Sequence, residues 1–313
     1  MRVNIYLTKG LLPALLMMLV VMLATVVPSQ AQTTTELAQA TPAAIPVGAG
    51  PEGVATNGAS VFVANQFGDT VTKILAKDGT VAGTFKVGHR PVALAFDGAF
   101  LWVANYLSNN VMKLDPTSGA VIGTYAVGEG PGGLLAVNGN IWVANRVANT
   151  VTKLHAADGL TLGTYEVGTR PLSMATDGKH IYVTNNNSDT VTKLLESNGV
   201  VAGLFPVGDG PFGIAYDGSA LWVTNFGSNN VMKLSTEGLV AGTYKTGDGP
   251  VSTVFSNGIV YVVNNGGDSV TKLNAIDGTT LGSISVGRGP IGVAVSGSTL
   301  WVTNSGSNTV TKR

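Results

Sequence analysis

A unit of 40 residues recurs seven times along this chain, and a fixed repeat of that length limits the fold to a solenoid, a propeller or an array. Each unit carries a Gly-x-x-Pro signal, whose prolines are Pro51, Pro91, Pro131, Pro171, Pro211, Pro250 and Pro290. Successive prolines are 40 residues apart, except for one step of 39. The repeats therefore begin near Val47, Val87, Val127, Val167, Val207, Thr246 and Val286.

Three further residue types keep the same register in every unit. An aromatic residue follows each proline by eleven positions: Phe62, Trp102, Trp142, Tyr182, Trp222, Tyr261 and Trp301. An asparagine follows each aromatic by three positions: Asn65, Asn105, Asn145, Asn185, Asn225, Asn264 and Asn304. A lysine follows each aromatic by eleven positions: Lys73, Lys113, Lys153, Lys193, Lys233, Lys272 and Lys312. Residues that are the same in every unit are most simply interpreted as scaffold.

Each complete unit contains four short apolar runs rich in Val, Thr, Leu and aromatic residues, a composition that suits β-strands. In the second unit the runs are Val92–Phe96, Leu101–Ala104, Val111–Leu114 and Val121–Val127. Asn-Gly and Asp-Gly dipeptides, such as Asp97 with Gly98, tolerate the positive φ of tight hairpins. The pattern predicts an all-β fold, a seven-bladed β-propeller with four-stranded antiparallel blades.

The two ends of the repeat region predict how the propeller closes. The seventh unit stops after its third strand, while residues Ile45 to Gly48 resemble the fourth strand of the second unit, at Tyr125 to Gly128. We therefore expect an N-terminal strand to complete the last blade, which would leave no open sheet edge between first and last units. The propeller is assigned to residues 41–313.

The first 31 residues have the pattern of a secretory signal peptide. Arg2 and Lys9 precede an apolar run from Leu11 to Val27, and small residues lead to a cleavage point near Ala31. The run has 17 residues, whereas a membrane span needs about 20; an uncleaved anchor is the alternative. Residues 32–40 are assigned as a linker, and we expect a periplasmic or secreted mature chain without a membrane span.

Composition removes several classes of function. The chain has 18 basic and 18 acidic residues and no Lys/Arg cluster, so nucleic acid is not an expected partner. It has no cysteine, which excludes disulfides, thiolate nucleophiles and cysteine-ligated metals. No nucleophile elbow, Walker loop, HExxH or EF-hand pattern occurs, and no catalytic residue is identified.

The invariant residues are expected to support the blades. The asparagines end the second strand, where Asn can hydrogen-bond local backbone. The lysines lie on the third strand, where their stems can cover apolar surface while the ammonium groups reach water; a functional basic ring is the alternative. A small residue stands two positions after each proline and is expected to prevent collision near the propeller axis: Gly53, Ala93, Gly133, Ser173, Gly213, Ser252 and Gly292.

Residues Tyr182 to Asn185 read Tyr-Val-Thr-Asn, with close copies at Trp222 to Asn225 and Trp301 to Asn304. The units resemble, over residues 45–313, the YVTN-type repeats of exported bacterial and archaeal propellers, which are NHL-like. The Gly-Pro-x-Gly-Ile and Leu-Trp-Val-Thr patterns also resemble streptogramin (virginiamycin B) lyase, a seven-bladed enzyme. That resemblance implies a bound metal with catalytic His and Glu. In all seven units, however, Asn occupies the place after the aromatic strand where that family often has an acid.

Function is expected where the repeats differ, on the loops before the first strands and after the second strands, which should share one face. The loops before the first strands carry His89, Arg90, Glu129, Arg170, Asp209, Asp248 and Arg288, with Glu52 just after the first proline. The loops after the second strands carry Tyr106, Arg146 and Phe226 among others. Around the ring the charges nearly alternate, which predicts ion pairs between neighbours. Asp209 and Asp248 adjoin instead, a pairing of carboxylates that would suit Ca²⁺ or Mg²⁺.

These patterns favour an exported binding or interaction module that uses the loop face around the central channel. Its partner would be an unidentified small molecule or an envelope or protein partner. One alternative is a metal-assisted lyase or lactone hydrolase of the streptogramin lyase or gluconolactonase type. Another is a structural cell-envelope protein. An enzyme of the lyase type needs acids and histidines converging at one channel mouth, so catalysis is the less favoured interpretation.

Overall fold

The structure, a computed structural model, describes residues 43–313, and every regular element in that range is a β-strand. The predicted signal peptide and linker lie outside the described residues. Within residues 43–313 no helix could cross a membrane.

The strands are numbered in chain order and grouped into blades of four. Blade 1 has β2 (Pro51–Thr56), β3 (Ser60–Asn65), β4 (Thr70–Leu75) and β5 (Val81–Lys86), and blade 2 has β6 (Pro91–Phe96), β7 (Leu101–Asn105), β8 (Asn110–Leu114) and β9 (Val121–Ala126). Blade 3 has β10 (Pro131–Val137), β11 (Asn140–Asn145), β12 (Thr150–His155) and β13 (Thr161–Glu166), and blade 4 has β14 (Pro171–Thr176), β15 (His180–Asn185), β16 (Thr190–Leu195) and β17 (Val201–Pro206). Blade 5 has β18 (Pro211–Tyr216), β19 (Ala220–Asn225), β20 (Asn230–Ser235) and β21 (Val240–Lys245), and blade 6 has β22 (Pro250–Ser256), β23 (Ile259–Asn264), β24 (Ser269–Asn274) and β25 (Thr280–Ser285). Blade 7 has β26 (Pro290–Ser296), β27 (Thr299–Asn304), β28 (Thr309–Lys312) and β1 (Ala43–Pro46).

The strands form seven four-stranded antiparallel sheets, which confirms the predicted propeller. The first strands of consecutive blades contact one another in a closed ring around a central channel, and β26 contacts both β22 and β2. The seventh sheet has the order β1-β28-β27-β26, so an N-terminal strand completes it as predicted. Its register runs from Ala43 opposite Lys312 to Pro46 opposite Thr309.

The aromatic residues of the second strands fill the space between neighbouring sheets. Six of the seven are fully buried: Phe62, Trp102, Trp142, Tyr182, Trp222 and Trp301. Trp102 packs against Tyr125 of the fourth strand, with ring centroids 5.6 Å apart. Burial of each such ring contributes about 2 kcal/mol or more to the free energy of unfolding.

The small residues of the first strands are required by the neighbouring blade rather than by the axis. A Cβ atom on Gly133 would overlap the carbonyl oxygen of Leu172, and one on Gly213 would overlap that of Val251. The hydroxyl of Thr224 uses the same close approach and donates to Val251 O at 2.7 Å. Adjacent first strands are therefore in direct contact through their backbones, which explains why only small residues fit.

The asparagine column is scaffold, but its main partners are side chains rather than backbone. Asn185 Nδ2 donates to Thr190 Oγ1 at 3.1 Å and to Thr192 Oγ1 at 2.8 Å. Asn264 binds the equivalent hydroxyls and also accepts the backbone N–H of Gly247. Each asparagine thus ties the end of its second strand to the start of the third.

The ammonium groups of six column lysines hydrogen-bond to the following blade, and the expectation that these groups reach water is wrong for the buried members. Lys113 Nζ donates to Ala156 O at 2.7 Å, and Lys153 Nζ donates to Glu196 O at 2.6 Å. These oxygens belong to turns in the following blade, where they satisfy an ammonium group that burial would otherwise make costly. Lys312 closes the same series across the chain ends, donating to Ala76 O at 2.9 Å.

Asp177 predicts how acid weakens the fold. Burial alone would raise the pKa of this carboxyl, but hydrogen bonds from the His180 ring, from backbone N–H groups and from the Tyr182 hydroxyl lower it to about 2. A group with a depressed folded-state pKa stabilises the fold above its unfolded-state pKa, and that contribution is lost as the pH falls through the folded-state value. In urea denaturation, we expect this carboxyl to remove about 2 kcal/mol from the free energy of unfolding between about pH 5 and about pH 2. Asp177→Asn should have a lower free energy of unfolding at neutral pH and should lose less of it on acidification. If the free energy of unfolding falls equally with pH in both proteins, Asp177 does not have this role.

Candidate functional site

The loop before each first strand and the loop after each second strand lie together, on what is here called the loop face. Backbone hydrogen bonds join the two loops within a blade; Arg146 N, for example, donates to Gly130 O at 2.8 Å. Side chains join consecutive blades, as where Asn149 Oδ1 accepts the backbone N–H of Arg170 at 2.8 Å. The loop face is therefore a hydrogen-bonded platform, and side chains that differ between repeats are mounted on a fixed backbone.

One ion pair on the loop face joins two blades that are not neighbours. Arg146, just after β11 of blade 3, donates from Nη2 to Glu52 Oε1 in β2 of blade 1 at 3.3 Å. The same Nη2 donates to the carbonyl oxygen of Gly132 at 2.8 Å. The side chains of Arg146 and Glu52 are only 17% and 12% exposed, so both charges are largely withdrawn from water.

Gly132 provides the space that Arg146 occupies. A Cβ atom on Gly132 would overlap the Nε and Cδ atoms of Arg146. The other six repeats carry larger side chains at this position: Glu52, Val92, Leu172, Phe212, Val251 and Ile291. Because blade 3 alone combines a glycine at this position with an arginine just after its second strand, we interpret it as specialised at the channel mouth.

The central channel contains a cavity of about 270 Å³. Its wall comes from the first strands of all seven blades and includes small and apolar residues such as Gly213, Met174 and Val293. Glu52 and Arg146 also line it and are its charged residues. The ion pair therefore sets the polarity of this cavity.

A second cavity, of about 320 Å³, lies on the loop face and is here called the arginine pocket. Its lining residues are Arg90, Tyr106, Arg146, Val147, Asn149, Thr169, Arg170 and Asn187. The three guanidinium groups come from the loops of blades 2, 3 and 4, and the lining contains no Asp or Glu. The structure thus brings together four of the predicted site residues.

Tyr106 stands between two of these guanidinium groups. The Cζ atom of Arg90 lies 5.0 Å from the centroid of the Tyr106 ring, and that of Arg146 lies 6.0 Å from it. Both distances are within the range of cation–π attraction, which helps to hold two like charges near each other. Arg90 Nε also donates to Gln66 Oε1 at 3.3 Å, a neutral partner that leaves its positive charge uncompensated.

Arg90 and Arg170 adopt a backbone conformation that disfavours them. Their φ angles are 55° and 56°, in the left-handed region. The other five repeats have glycine at this position, just before the proline: Gly50, Gly130, Gly210, Gly249 and Gly289. A non-glycine residue there costs about 1 kcal/mol or more. The two arginines that replace glycine are therefore placed against the local preference of the scaffold, and both line the same pocket.

His89 precedes Arg90 but does not line the arginine pocket. Its Nδ1 lies 2.9 Å from Asp69 Oδ2, and its side chain is largely exposed. The backbone N–H of Arg90 donates to Asp69 Oδ1 at 2.8 Å, and this bond, followed by the one from His89, lowers the pKa of Asp69. Asp69 therefore holds the loop that presents Arg90.

The remaining predicted site residues are exposed and line neither cavity: Glu129, Asp209, Asp248, Arg288 and Phe226. Among residues 43–313, no ion pair joins two of the charged residues predicted to alternate around the ring, so the alternating belt is not formed. Glu52 faces the channel cavity instead and pairs with Arg146.

The predicted cation site at Asp209 and Asp248 stays a prediction. The backbone oxygens of these residues accept the N–H groups of Gly227 and Gly266, at 2.9 and 3.0 Å, while both side chains face solvent. In the described part of the chain, no three or more His, Asp or Glu side chains are grouped as metal ligands would be.

Comparison with solved structures places this geometry on a known scaffold. The fold is shared with streptogramin lyase propellers. A streptogramin B lyase gives a TM-score of 0.76 at 17% identity, over 86% of this chain and 95% of that one. A catalytically inactive virginiamycin B lyase from Staphylococcus aureus with quinupristin gives 0.77 at 17% identity, over 87% and 98%.

Kuenenia stuttgartiensis hydrazine synthase is equally similar in shape, with a TM-score of 0.77 at 22% identity, over 84% of this chain and 95% of that chain. No family model and no curated protein matches the sequence. At these identities the likenesses show the fold alone, which confirms the resemblance to the lyase propeller at that level. The YVTN-type assignment stays a prediction.

Sequence reasoning missed the residues that make the pocket possible. Gly132 was not singled out, although it is the one glycine in a column of larger side chains. Thr169 and Asn187, which contribute polar groups to the pocket, also went unnoticed. The sequence did contain a signal for the site: the residue before the repeat proline is glycine in five units but arginine at Arg90 and Arg170.

Proposed function

We propose that this protein is an exported binding module that takes up a small molecule in the arginine pocket of its loop face. The observation that carries the proposal is the convergence of Arg90, Arg146 and Arg170 on one cavity, each from a different blade. Arg90 and Arg170 interrupt the repeat, since both occupy left-handed positions that glycine fills in the other five units. Groups placed against the local preference of a scaffold are typical of binding sites.

Size and access fit the same proposal. A volume of about 320 Å³ lies at the lower end of the range found for small-molecule sites. Its walls combine charged groups with the hydroxyl of Thr169, the amides of Asn149 and Asn187, and the ring of Tyr106. A few polar groups around an aromatic surface can fix the orientation of a ligand as well as hold it.

The two alternatives make different demands. A metal-assisted lyase would need carboxylates and histidines around a cation, whereas the charged groups of this pocket are arginines, which repel a cation. A structural envelope protein would associate with itself and show no affinity for small molecules. The shared propeller fold does not choose between these activities, because one fold serves many functions.

A thermal-shift screen tests the proposal without assuming the charge of the ligand. The chain beginning at residue 32 would be screened against equal sets of anionic, neutral and cationic small molecules. Thr169→Trp places a large side chain in the arginine pocket, so we expect it to abolish the stabilisation caused by the compounds that bind there. Ala99→Trp adds the same side chain at an exposed turn at the opposite end of blade 2, and should leave that stabilisation intact.

The outcomes separate clearly. Compounds that raise the melting temperature of the wild type and of Ala99→Trp, but not of Thr169→Trp, support binding in the arginine pocket. A screen in which no compound stabilises the wild type, or in which both variants respond alike, contradicts the proposal. Concentration-dependent self-association in sedimentation velocity, together with an empty screen, would favour the structural alternative.

A further inference from the structure

We infer that the arginine pocket selects an oxyanion with two or more negative charges, a polycarboxylate or a phosphate compound, held between Arg90 and Arg170. This inference rests on the proposed function and names the class of its ligand. It begins with the charges that the scaffold leaves uncompensated.

Arg170 is the most available of the three cations. Among residues 43–313 its side chain has no hydrogen-bond or ion-pair partner. Its backbone alone is held, by Asn149 Oδ1 and by the N–H of Asn186. The side chain of Arg90 has neutral partners alone, Gln66 and the ring of Tyr106, while its backbone N–H binds Asp69. Two full positive charges therefore face one cavity without a counterion from the protein.

Arg146 adds a third guanidinium that is only partly satisfied. Its Nη2 binds Glu52 and the carbonyl oxygen of Gly132, but its Nε is buried without a hydrogen-bond partner in the described residues. Since Glu52 compensates this charge, Arg146 contributes to the wall of the pocket more than to its net charge. The net charge of the pocket, with that ion pair counted as neutral, is about +2, which matches a ligand with two or more negative charges.

The residue type points to the same chemistry. Guanidinium groups present paired N–H donors that match the oxygens of carboxylates and phosphates. Thr169, Asn149 and Asn187 add neutral hydroxyl and amide groups to the lining, as suits the remaining oxygens of such a ligand. Glu129 lies in the blade 3 loop, between the loops that carry Arg90 and Arg170, but it does not line the cavity.

Two positions can be changed with little expected damage to the fold. Arg90→Gly and Arg170→Gly restore the residue that five other repeats carry at this left-handed position. We expect each variant to melt at the wild-type temperature or higher. Each should nevertheless lose at least tenfold in affinity for a multivalent oxyanion, because the charge that holds the ligand is gone.

Isothermal titration calorimetry with defined probes tests this directly, in buffer free of divalent cations and at matched ionic strength. Citrate represents polycarboxylates and pyrophosphate represents phosphates. We expect at least one of them to bind with a Kd below about 1 mM, at least tenfold more tightly than acetate, with an affinity that falls as sodium chloride is added. The stronger of the two probes identifies the type of oxyanion.

The control removes an exposed cation elsewhere. Lys245→Ala lowers the net charge by the same amount in blade 5, and should bind the probe as the wild type does. Equal weakening in Lys245→Ala and Arg170→Gly would reduce the effect to overall charge and overturn the inference. So would citrate and pyrophosphate binding no better than acetate. If Thr169→Trp abolishes stabilisation by neutral compounds only, the proposed binding function is supported, but the inference of an anionic ligand is overturned.

Discussion

Removing the N-terminal strand should cause a large loss of stability: the chain that begins at residue 49 is expected to melt about 7 °C below the chain that begins at residue 41. The shorter chain lacks β1, whose four residues pair with β28 in the last blade. It also removes Ile45 and Val47, which pack against a buried cluster containing Trp301 and Val61. That cluster joins blade 7 to blade 1, so the loss falls on the seam that closes the ring.

The size of the effect follows from burial and from the newly exposed edge. Two partly buried apolar side chains and the uncovered face of their cluster amount to about 4 kcal/mol of unfolding free energy. In a domain of this length that corresponds to about 7 °C in melting temperature. The shortened protein also exposes β28 as an unpaired edge, so we expect aggregation on heating.

A matched deletion keeps this test specific. Chains beginning at residue 32 and at residue 41 differ only in the predicted linker, so differential scanning calorimetry should give them the same melting temperature. Lys312 still reaches Ala76 O across the seam in every version, which is why we expect a weakened propeller rather than an unfolded chain. Equal melting temperatures for the chains beginning at residues 41 and 49 would show that β1 does not support the fold.

The fold could be predicted almost completely because the repeat shows every strand and turn several times. A single Asp-Gly is a weak signal, whereas the same turn at the same register in several units leaves little choice of architecture. The closing strand followed from the same logic, since Ile45 to Gly48 supplied the strand that the seventh unit lacked. Comparing equivalent positions of the repeats predicted side-chain contacts less well. The buried ammonium group of Lys113 binds a carbonyl oxygen of the next blade, and a contact between two repeats cannot be seen within one repeat.

The site could be predicted as a set of residues but not as a pocket. Arg90, Tyr106, Arg146 and Arg170 were all candidates, yet their convergence depends on the directions of long side chains across three blades. The charge alternation was misleading for Glu52, because its position in β2 turns it to the channel, where it pairs with Arg146. Interruptions of a repeat column are the better guide, because they mark places where the scaffold departs from its own preference.

The largest effect of a single substitution on the loop face is expected at Glu52. Glu52→Val introduces the residue found at the same position in the second repeat, Val92, and leaves the guanidinium of Arg146 largely buried without its counterion. Breaking a buried ion pair from one side costs about 3 kcal/mol, so chemical denaturation should show a loss of this order in the free energy of unfolding. Because the Arg146 side chain remains partly exposed, a larger loss is not expected.

A double-mutant cycle separates the interaction energy of the ion pair from the cost of leaving one of its charges buried without a partner. Arg146→Asn introduces the residue that blade 4 carries at this position, Asn186, and removes the charge that Glu52→Val leaves unpaired. We expect the double variant to recover most of the lost stability, with a coupling energy of about 2 kcal/mol. If the two losses simply add, the ion pair does not act as a unit.

Gly132 allows a further test of the same contact, because the absence of a side chain at this position leaves room for Arg146. Gly132→Leu alone should displace the guanidinium from between the blades and destabilise the protein, since a Cβ atom there overlaps Arg146 Nε. In the Arg146→Asn background the same leucine should be tolerated, because blade 4 pairs Leu172 with Asn186 at these two positions. Dependence of the leucine on the residue at position 146 would show that the glycine and the arginine form one structural unit. Equal damage in both backgrounds would mean that Gly132 is required by the strand itself, and that the channel mouth of blade 3 is not built around its arginine.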